Sequence, residues 1–340
     1  FGQAVLRLEE KLREERNHPL GTVTAGLLGM ERARQTGQPI VEKYKGEYVD
    51  AATRAKLKAN DTPRLCAKSF YGNPKAKLPK ERVASDISGI TSKNDWIAII
   101  HADGNGLGKI VRKIGGKKDV YRDFSERLDE ATIDSAKEAY DEISAGQEWK
   151  LIPIRPVVLG GDDMTVIVRG DLAIAYTEAY LKAFEKNTEL RMGKMLADNS
   201  VADDGRTCLT ACAGVAFVKS SFPFYYAYNL AEELCTEAKA KSGRKQTCLM
   251  FHKVQDSFIT NYKDIVAREL TLKTEDGKAP KAADSNVPES LQCGPYFIGE
   301  STEEYMTIEE VIEATKKLNG QEGVRTGLRQ WLTLLKEGSG

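Results

Sequence analysis

What the 340-residue sequence lacks already narrows the kind of protein it can be. Its 50 Lys and Arg residues are balanced by 50 Asp and Glu residues, so the basic surplus typical of proteins that grip long nucleic acids is missing. No apolar run reaches the roughly 18 residues that span a bilayer, and the charged start does not resemble a secretion signal. We therefore expect a soluble, cytoplasmic protein with no membrane partner.

Paired cysteine motifs are also missing. The six cysteines include no Cys-x-x-Cys pair, and Cys66 has no second thiol near enough for a zinc knuckle. Cys208 and Cys212 would share one strand face, where core packing is favoured over a metal role. Four of the six fall in predicted strands or helices, which favours free, buried thiols in a reducing compartment. The sequence thus predicts neither a disulfide framework nor a cysteine-bound metal.

What the sequence does contain is an acidic hairpin. Two apolar runs, 156–159 and 164–168, flank Gly160-Gly161-Asp162-Asp163. Such short runs rich in Val and Ile predict buried strands, and the glycine pair permits a tight turn between them. Two neighbouring carboxylates beside a core are costly unless a cation neutralises them. A Gly-Gly-Asp-Asp sequence alone is also compatible with an ordinary turn.

A second acidic turn makes the metal-site interpretation the stronger one. The apolar strand predicted over 96–102 ends at Asp103-Gly104. Magnesium prefers oxygen ligands, and two such ions can hold the attacking hydroxyl and the leaving pyrophosphate of a nucleotidyl transfer. We predict catalytic roles for Asp103, Asp162 and Asp163, and a metal site for two Mg²⁺ or Mn²⁺ ions at these residues and Gly104.

The glycine-rich turn after Asp103 predicts a phosphate site. Alternating glycines let the backbone expose N–H groups at the start of a helix, and a lysine adds positive charge. The pattern differs from the Walker motif, and such a turn can also merely cap a helix. The predicted nucleotide-binding residues are Gly104, Asn105, Gly106, Leu107, Gly108, Lys109 and Gly161.

Residues 94–253 resemble a known family. The segments Asp103 to Lys109 and Gly160 to Asp163 look like the second palm domain, bearing a GGDD motif, of the large subunit of type III CRISPR effector complexes. The resemblance implies ATP as substrate and association with RNA or a CRISPR complex. No histidine precedes an aspartate, so the nuclease domain common in those subunits is not evident in this sequence.

The same segment is more distantly similar to GGDEF diguanylate cyclases. That similarity implies that Lys239, near the end of the predicted helix that includes 231–239, binds phosphate. It also implies a nucleotide contact for Arg244, although one extra residue separates it from the helix in this sequence. Asp163 stands where those cyclases carry glutamate, as in the CRISPR palms.

The chain is predicted to divide into three parts. Residues 1–93 and 254–340 are expected to be mostly helical, and 94–253 to form the palm or cyclase domain. Within the middle part, the predicted order strand-helix-strand-strand-helix-strand is that of a ferredoxin-like α+β fold. This arrangement would place Asp103 and the hairpin tip on adjacent central strands.

An aromatic group follows the predicted strand 208–218. Its members are Phe222, Phe224, Tyr225, Tyr226 and Tyr228. Aromatic faces can stack on nucleobases, but packing against the sheet is the interpretation we favour.

Together these features predict a metal-dependent nucleotidyltransferase that makes cyclic nucleotides or cyclic oligonucleotides from ATP or other nucleoside triphosphates. Because only one palm is visible, we expect a homodimer or a partner subunit. The alternatives are a nucleic-acid-directed palm polymerase or nucleotidyltransferase, and a non-catalytic nucleotide-binding subunit of an RNA-guided complex.

Overall fold

The computed structural model describes most of the chain. The described residues are 2–17, 31–59, 63–91, 95–198, 201–202, 205–255, 261–271, 291–319, 327 and 330. Parts of both predicted flanking regions, including 18–30, 272–290 and 331–340, lie outside them.

Strands and helices alternate through the middle of the chain. The strands are β1 (Glu42–Tyr44), β2 (Glu47–Val49), β3 (Trp96–Gly104), β4 (Ile154–Gly160), β5 (Asp163–Arg169), β6 (Ala211–Lys219), β7 (Cys248–Lys253) and β8 (Tyr296–Phe297). The α-helices are α1 (Gly2–Asn17), α2 (Ala51–Ala59), α3 (Arg64–Tyr71), α4 (Leu107–Ile114), α5 (Lys118–Ser144), α6 (Ala173–Leu196), α7 (Phe224–Lys241), α8 (Tyr262–Glu269) and α9 (Ile308–Asn319).

The six-stranded main sheet has the order β4-β5-β3-β6-β7-β8. Its first four strands are antiparallel neighbours, and the chain runs through β3, the short helix α4, α5, β4, β5, α6 and β6 in that order. This is the ferredoxin-like arrangement, so the α+β palm fold predicted from the sequence is confirmed. The helix α7 then connects β6 to β7, which pair in parallel.

The two faces of the sheet are covered differently. Strand residues alternate between faces, so Ala98 and Ile100 of β3 join the core under α5 and α6, while Ile97 and Ile99 join a smaller core under α7. Helix α7 packs on β3, β6 and β7. The edge strand β4 leaves Val157 and Val158 more than a third exposed.

The flanking regions contain more than helices. In the N-terminal region β1 and β2 form a separate hairpin, and α3 packs against α5 and β4. In the C-terminal region the two-residue strand β8 extends the main sheet beside β7. The division of the chain at residues 93 and 253 stays a prediction.

All six cysteines are free thiols, as predicted, and Cys66, Cys212, Cys235 and Cys248 are buried. Among the described residues, no helix is both long enough and apolar enough to cross a membrane.

Candidate functional site

The acidic hairpin has the shape that its sequence predicts. Gly160 pairs with Asp163, which leaves Gly161 and Asp162 as a two-residue loop. Gly161 has φ +61, a conformation that a glycine at the first loop position adopts without strain. Asp162 therefore lies at the tip, and Asp163 is the first residue of β5.

Side chains of two helices, α5 and α3, form hydrogen bonds with the backbone of the hairpin. Thr132 of α5 donates a hydrogen bond to the carbonyl of Gly161, whose N–H lies 3.4 Å from Oδ1 of Asp129. Nζ of Lys68, on α3, lies 3.2 Å from the same Asp129 oxygen and 3.0 Å from the carbonyl oxygen of Leu159. These contacts fix the position of the loop that carries Asp162.

The end of β3 brings a second carboxylate to this tip. β3 and β5 are antiparallel neighbours, and the side chains of Asp103 and Asp162 share a hydrogen bond. A Cβ atom on Gly104 would lie 3.0 Å from Cβ of Asp162 and 2.5 Å from Cδ1 of Leu107. Only glycine at position 104 allows the hairpin tip to approach β3 this closely.

Lys239 supplies the positive charge beside these carboxylates. Although it belongs to α7, its side chain is almost completely buried, with a residue exposure of 5%. Its Nζ donates to Oδ2 of Asp103 and, at 2.9 Å, to the carbonyl oxygen of Gly104. The residue that the GGDEF similarity assigned to phosphate therefore touches two of the predicted metal-site residues.

The aspartates differ in their affinity for protons. Burial raises the pKa of Asp162 to about 7, and its hydrogen bond to the neighbouring Asp103 carboxylate contributes to the rise. Burial opposes ionisation of Asp103 as well, but the hydrogen bonds with Asp162 and Lys239 bring its pKa below the ordinary value. Two carboxylates in contact thus share one proton, the arrangement expected when like charges meet.

Asp163 faces a different neighbour. Its Oδ1 lies 3.5 Å from Nδ1 of His101, which is itself 3.2 Å from Oγ1 of Thr165. Burial raises the pKa of Asp163, partly offset by His101 and reinforced by Asp103. This Oδ1 atom is buried and has no hydrogen-bond partner among the described residues. An orphaned buried carboxylate oxygen is costly, which suggests a ligand that the protein itself does not supply.

The oxygen atoms gathered here fit a hard divalent cation. In the described part of the chain, no three His, Cys, Asp or Glu side chains surround one common point. The contacting pair Asp103 and Asp162 nevertheless offers the one or two carboxylates that magnesium usually takes from a protein, and the Gly104 carbonyl lies beside them. The orphaned oxygen of Asp163 adds a further donor nearby.

The glycine-rich turn opens next to this cluster. Gly106 is the N-cap of α4 and has φ +76, a left-handed conformation that suits glycine. Gly108 and Lys109 are exposed in the first turn of that helix. The first N–H groups of a helix have no partner within the helix, so this end can accept an anion.

Two residues of the turn face inward. Leu107 packs in the main core. Asn105 is fully buried, and its amide donates to Oγ1 of Thr210 at 3.1 Å and to the carbonyl oxygen of Gln246 at 3.3 Å. Their side chains anchor the turn, whereas Gly106, Gly108 and Lys109 line its outer side.

Two residues near the site were not predicted. The guanidinium of Arg206 lies 3.6 Å from the position that a Cβ on Gly106 would take, so it stands over the glycine turn. No local pattern marks Arg206. A signal did exist for His101, because the period of two along a strand puts it on the same face as Asp103.

The remaining predicted residue, Arg244, lies in the turn after α7. It is exposed, has φ +59, and its backbone N–H donates to the carbonyl of Lys239 at 3.0 Å. A nucleotide contact by this arginine stays a prediction.

The middle of the chain is similar to a known family. Residues 96–248 match the model of the Cas10/Cmr2 family, second palm domain. The matched segment contains Asp103, the hairpin and Lys239. The resemblance predicted from the two acidic turns is therefore confirmed for this segment. No curated protein matches the chain.

Solved structures of two kinds are similar to this chain. The Csm1 structure from T. onnurineus shares 16% identity, with a TM-score of 0.32, over 45% of this chain and 20% of that one. A Csm1–Csm4 cassette in complex with cA4 shares 15% identity, with a TM-score of 0.32, over 48% of this chain and 22% of that one. This chain thus spans about a fifth of the length of those proteins.

The second kind is a diguanylate cyclase. The diguanylate cyclase SiaD of Pseudomonas aeruginosa, solved with its activator SiaC, shares 13% identity, with a TM-score of 0.32, over 74% of this chain and 71% of that one. The more distant similarity to diguanylate cyclases predicted from the sequence is thus also found among solved structures.

Proposed function

We propose that the protein is a metal-dependent nucleotidyltransferase that joins nucleoside triphosphates into a cyclic nucleotide or cyclic oligonucleotide and releases pyrophosphate. The single observation that carries the proposal is the contact between Asp103 and Asp162 beside the buried Lys239. The match of 96–248 to the Cas10/Cmr2 second palm domain supports a role in CRISPR-type or related antiviral signalling.

The proposed metal ligands are the carboxylates of Asp103, Asp162 and Asp163 and the carbonyl of Gly104. A pair of Mg²⁺ or Mn²⁺ ions, when bound, supplies positive charge for the attacking ribose hydroxyl and the leaving pyrophosphate. The shared proton of the Asp103–Asp162 pair must leave before both oxygens can act as ligands. Lys239 donates a hydrogen bond to Asp103 from its buried position beside the pair.

The proposed triphosphate site is the outer side of the glycine turn. The N-terminal N–H groups of α4 and the exposed Lys109 offer hydrogen bonds and charge to phosphate oxygens. Arg206 stands over Gly106 and adds a planar guanidinium, which suits phosphate geometry. ATP is the proposed substrate because the palm resemblance implies it.

The acceptor nucleotide must face the donor across the carboxylates. The sequence holds one GGDD segment, so we propose that a second copy or a partner subunit completes the active assembly. Light scattering of the active enzyme checks this point, and activity confined to a monomer contradicts it.

The deciding experiment is incubation with labelled ATP and Mg²⁺ or Mn²⁺, without primer or template. We expect pyrophosphate release and a cyclic product identified by mass spectrometry. The double change Asp162→Asn and Asp163→Asn should abolish both while leaving the circular dichroism spectrum intact. The matched control is Asp171→Asn, which alters an exposed carboxylate paired with Arg169 at the far end of β5.

Unchanged pyrophosphate release in the double variant would refute the metal-site assignment. Turnover that requires a primer or template would instead identify a nucleic-acid-directed enzyme. Binding of ATP without any turnover would identify a nucleotide-binding subunit.

A further inference from the structure

A groove runs along the edge of the main sheet, between β4 and the helices α2 and α3. It has a volume of about 920 Å³. We call it the edge groove, and its principal lining residues are Lys56, Arg64, Arg155, Val157, Ile167 and Phe224. None of these residues belongs to the carboxylate site described above.

The charge of the edge groove departs from that of the whole chain. The sequence balances 50 basic against 50 acidic residues, yet the described lining of the groove contains three cations and no carboxylate. Lys56 and Arg64 are exposed, and Arg155 is half-buried with Nη1 3.1 Å from the carbonyl oxygen of Ala84. This lining favours a polyanion.

One aromatic ring, that of Phe224, lines the groove and is 36% exposed. The next two residues of α7, Tyr225 and Tyr226, are 67% and 48% exposed outside the groove lining. Packing of these three rings against the sheet, which the sequence favoured, is therefore not what the fold does, although Phe222 and Tyr228 do pack there. Proteins that bind single-stranded nucleic acids combine exposed aromatic rings with cations: the bases stack on the rings, and the phosphates pair with the cations.

The edge groove and the carboxylates share one face of the sheet. Ile167 of the groove and Asp163 lie four residues apart on β5, so they point to the same side at a separation of about 13 Å. Aromatic rings span this distance: Phe224 stacks on Tyr228 with centroids 6.2 Å apart, and Tyr228 lies 5.8 Å from His101, the neighbour of Asp163. A single-stranded nucleic acid that lies in the groove would thus run toward the carboxylates.

We infer that the edge groove binds the acceptor oligonucleotide, with its 3′ end at the carboxylates. This inference rests on the proposed function. The 3′ oxygen of the acceptor forms a bond to the α-phosphorus of the incoming triphosphate, the bond from that phosphorus to the bridging oxygen breaks, pyrophosphate leaves, and the hydroxyl proton passes to water. Phe224 stacks on a base, and Lys56 and Arg64 face the phosphates.

The direct test is fluorescence anisotropy with a fluorescein-labelled adenine tetranucleotide and the full chain. Phe224→Ala and Arg64→Glu should each weaken binding about ten-fold or more, since one stacked base or one reversed charge is lost. The wild-type binding constant should fall with salt with a logarithmic slope of about −1.4, as expected for two phosphate contacts on a single strand. Arg64→Glu should flatten that slope.

Two matched variants control for surface changes elsewhere. Tyr48→Ala removes a ring that is 54% exposed on β2, and Lys75→Glu reverses an exposed charge. Both should bind the tetranucleotide as the wild type does. In turnover assays Phe224→Ala should lower the ratio of longer products to dinucleotide.

The outcomes separate this inference from the proposed function. If the enzyme turns over ATP but neither Phe224→Ala nor Arg64→Glu alters tetranucleotide binding, the groove assignment is overturned and the proposed function stands. If both variants weaken binding but the wild type transfers no nucleotide with any metal, the acceptor role falls together with the proposed function. Weakened binding together with a shift to short products supports the inference.

Discussion

The residues on the two faces of β3 have different surroundings. Ala98, Ile100 and Ala102 point to one face and are fully buried in the core under α5 and α6. His101 and Asp103 point to the other, where α7 covers the strand only in part and supplies Lys239. One face of β3 thus belongs to an apolar core along its whole length, whereas the other passes from the smaller core at Ile97 and Ile99 to the charged cluster at its end. We therefore expect substitutions at Ile100 and at Asp103 to affect stability and activity to different extents.

The largest expected effect is the loss of activity caused by a substitution at Asp103. Asp103→Asn removes a negative charge from the proposed metal site, so nucleotidyl transfer should fall below detection. Its loss of stability should stay below that of Ile100→Ala, because the neighbouring Asp162 carboxylate can ionise beside the buried Lys239. On the opposite face, Ile100→Ala should lower the free energy of unfolding by about 2 to 5 kcal/mol through the cavity it leaves. Urea unfolding and pyrophosphate release, measured on both variants, check the pair. A stability loss in Asp103→Asn equal to that of Ile100→Ala would contradict the separation of the two faces.

A smaller effect on the transfer rate is expected when Gly104, which follows Asp103, is replaced by alanine. Gly104→Ala would force a methyl group against Leu107 and Asp162, pushing the hairpin tip away from β3 and lowering the transfer rate. Gly116→Ala is the matched control, because Gly116 is exposed in the turn after α4 and its new methyl group would meet open space. Initial rates at saturating ATP check this difference. Equal rates for the two variants would show that the close approach at Gly104 does not matter.

The smallest effect concerns the proton shared by Asp103 and Asp162. The pKa of Asp162 is about 7 in the folded protein against 3.8 for the free side chain, so the folded state holds the extra proton and stability falls as pH rises from about 4 to 7. Asp162→Asn mimics the protonated form, so it should stabilise the metal-free protein at pH 8, by on the order of 2 kcal/mol, and have little effect at pH 4.

Thermal unfolding of both proteins in EDTA at the two pH values measures this. Added Mg²⁺ should raise the melting temperature of the wild type more at pH 8 than at pH 5, since the cation competes with the proton. A pH-independent difference between wild type and Asp162→Asn would exclude the shared proton.

The sequence predicted those parts of the site that depend on local patterns. The strand ending at Asp103 and the hairpin carrying Asp162 follow from a period of two and a glycine pair, so both could be located without any tertiary contact. Arg206 could not be found this way, because it reaches Gly106 across a hundred residues of sequence.

The same limit applies to residues whose surroundings come from elsewhere in the chain. Asn105 stands between glycines, a setting typical of an exposed turn, yet it is buried by Thr210 and Gln246. The strand β8 has only two residues and exists because β7 offers it an edge. The ring of Phe224 stands at the first position of α7 and lines the edge groove with Val157 of β4 and Ile167 of β5, a placement that no local pattern reveals.

The ion pair between Lys68 and Asp129 has a consequence for dissecting the molecule. Lys68 precedes the segment 96–248 that matches the palm family, yet it also reaches the backbone at Leu159, one residue before the glycine pair. A fragment limited to the family match would keep every proposed metal ligand but would lose Lys68, which supports the hairpin that carries two of them. Helix α3 therefore belongs to the smallest unit in which the spacing of the carboxylates is preserved.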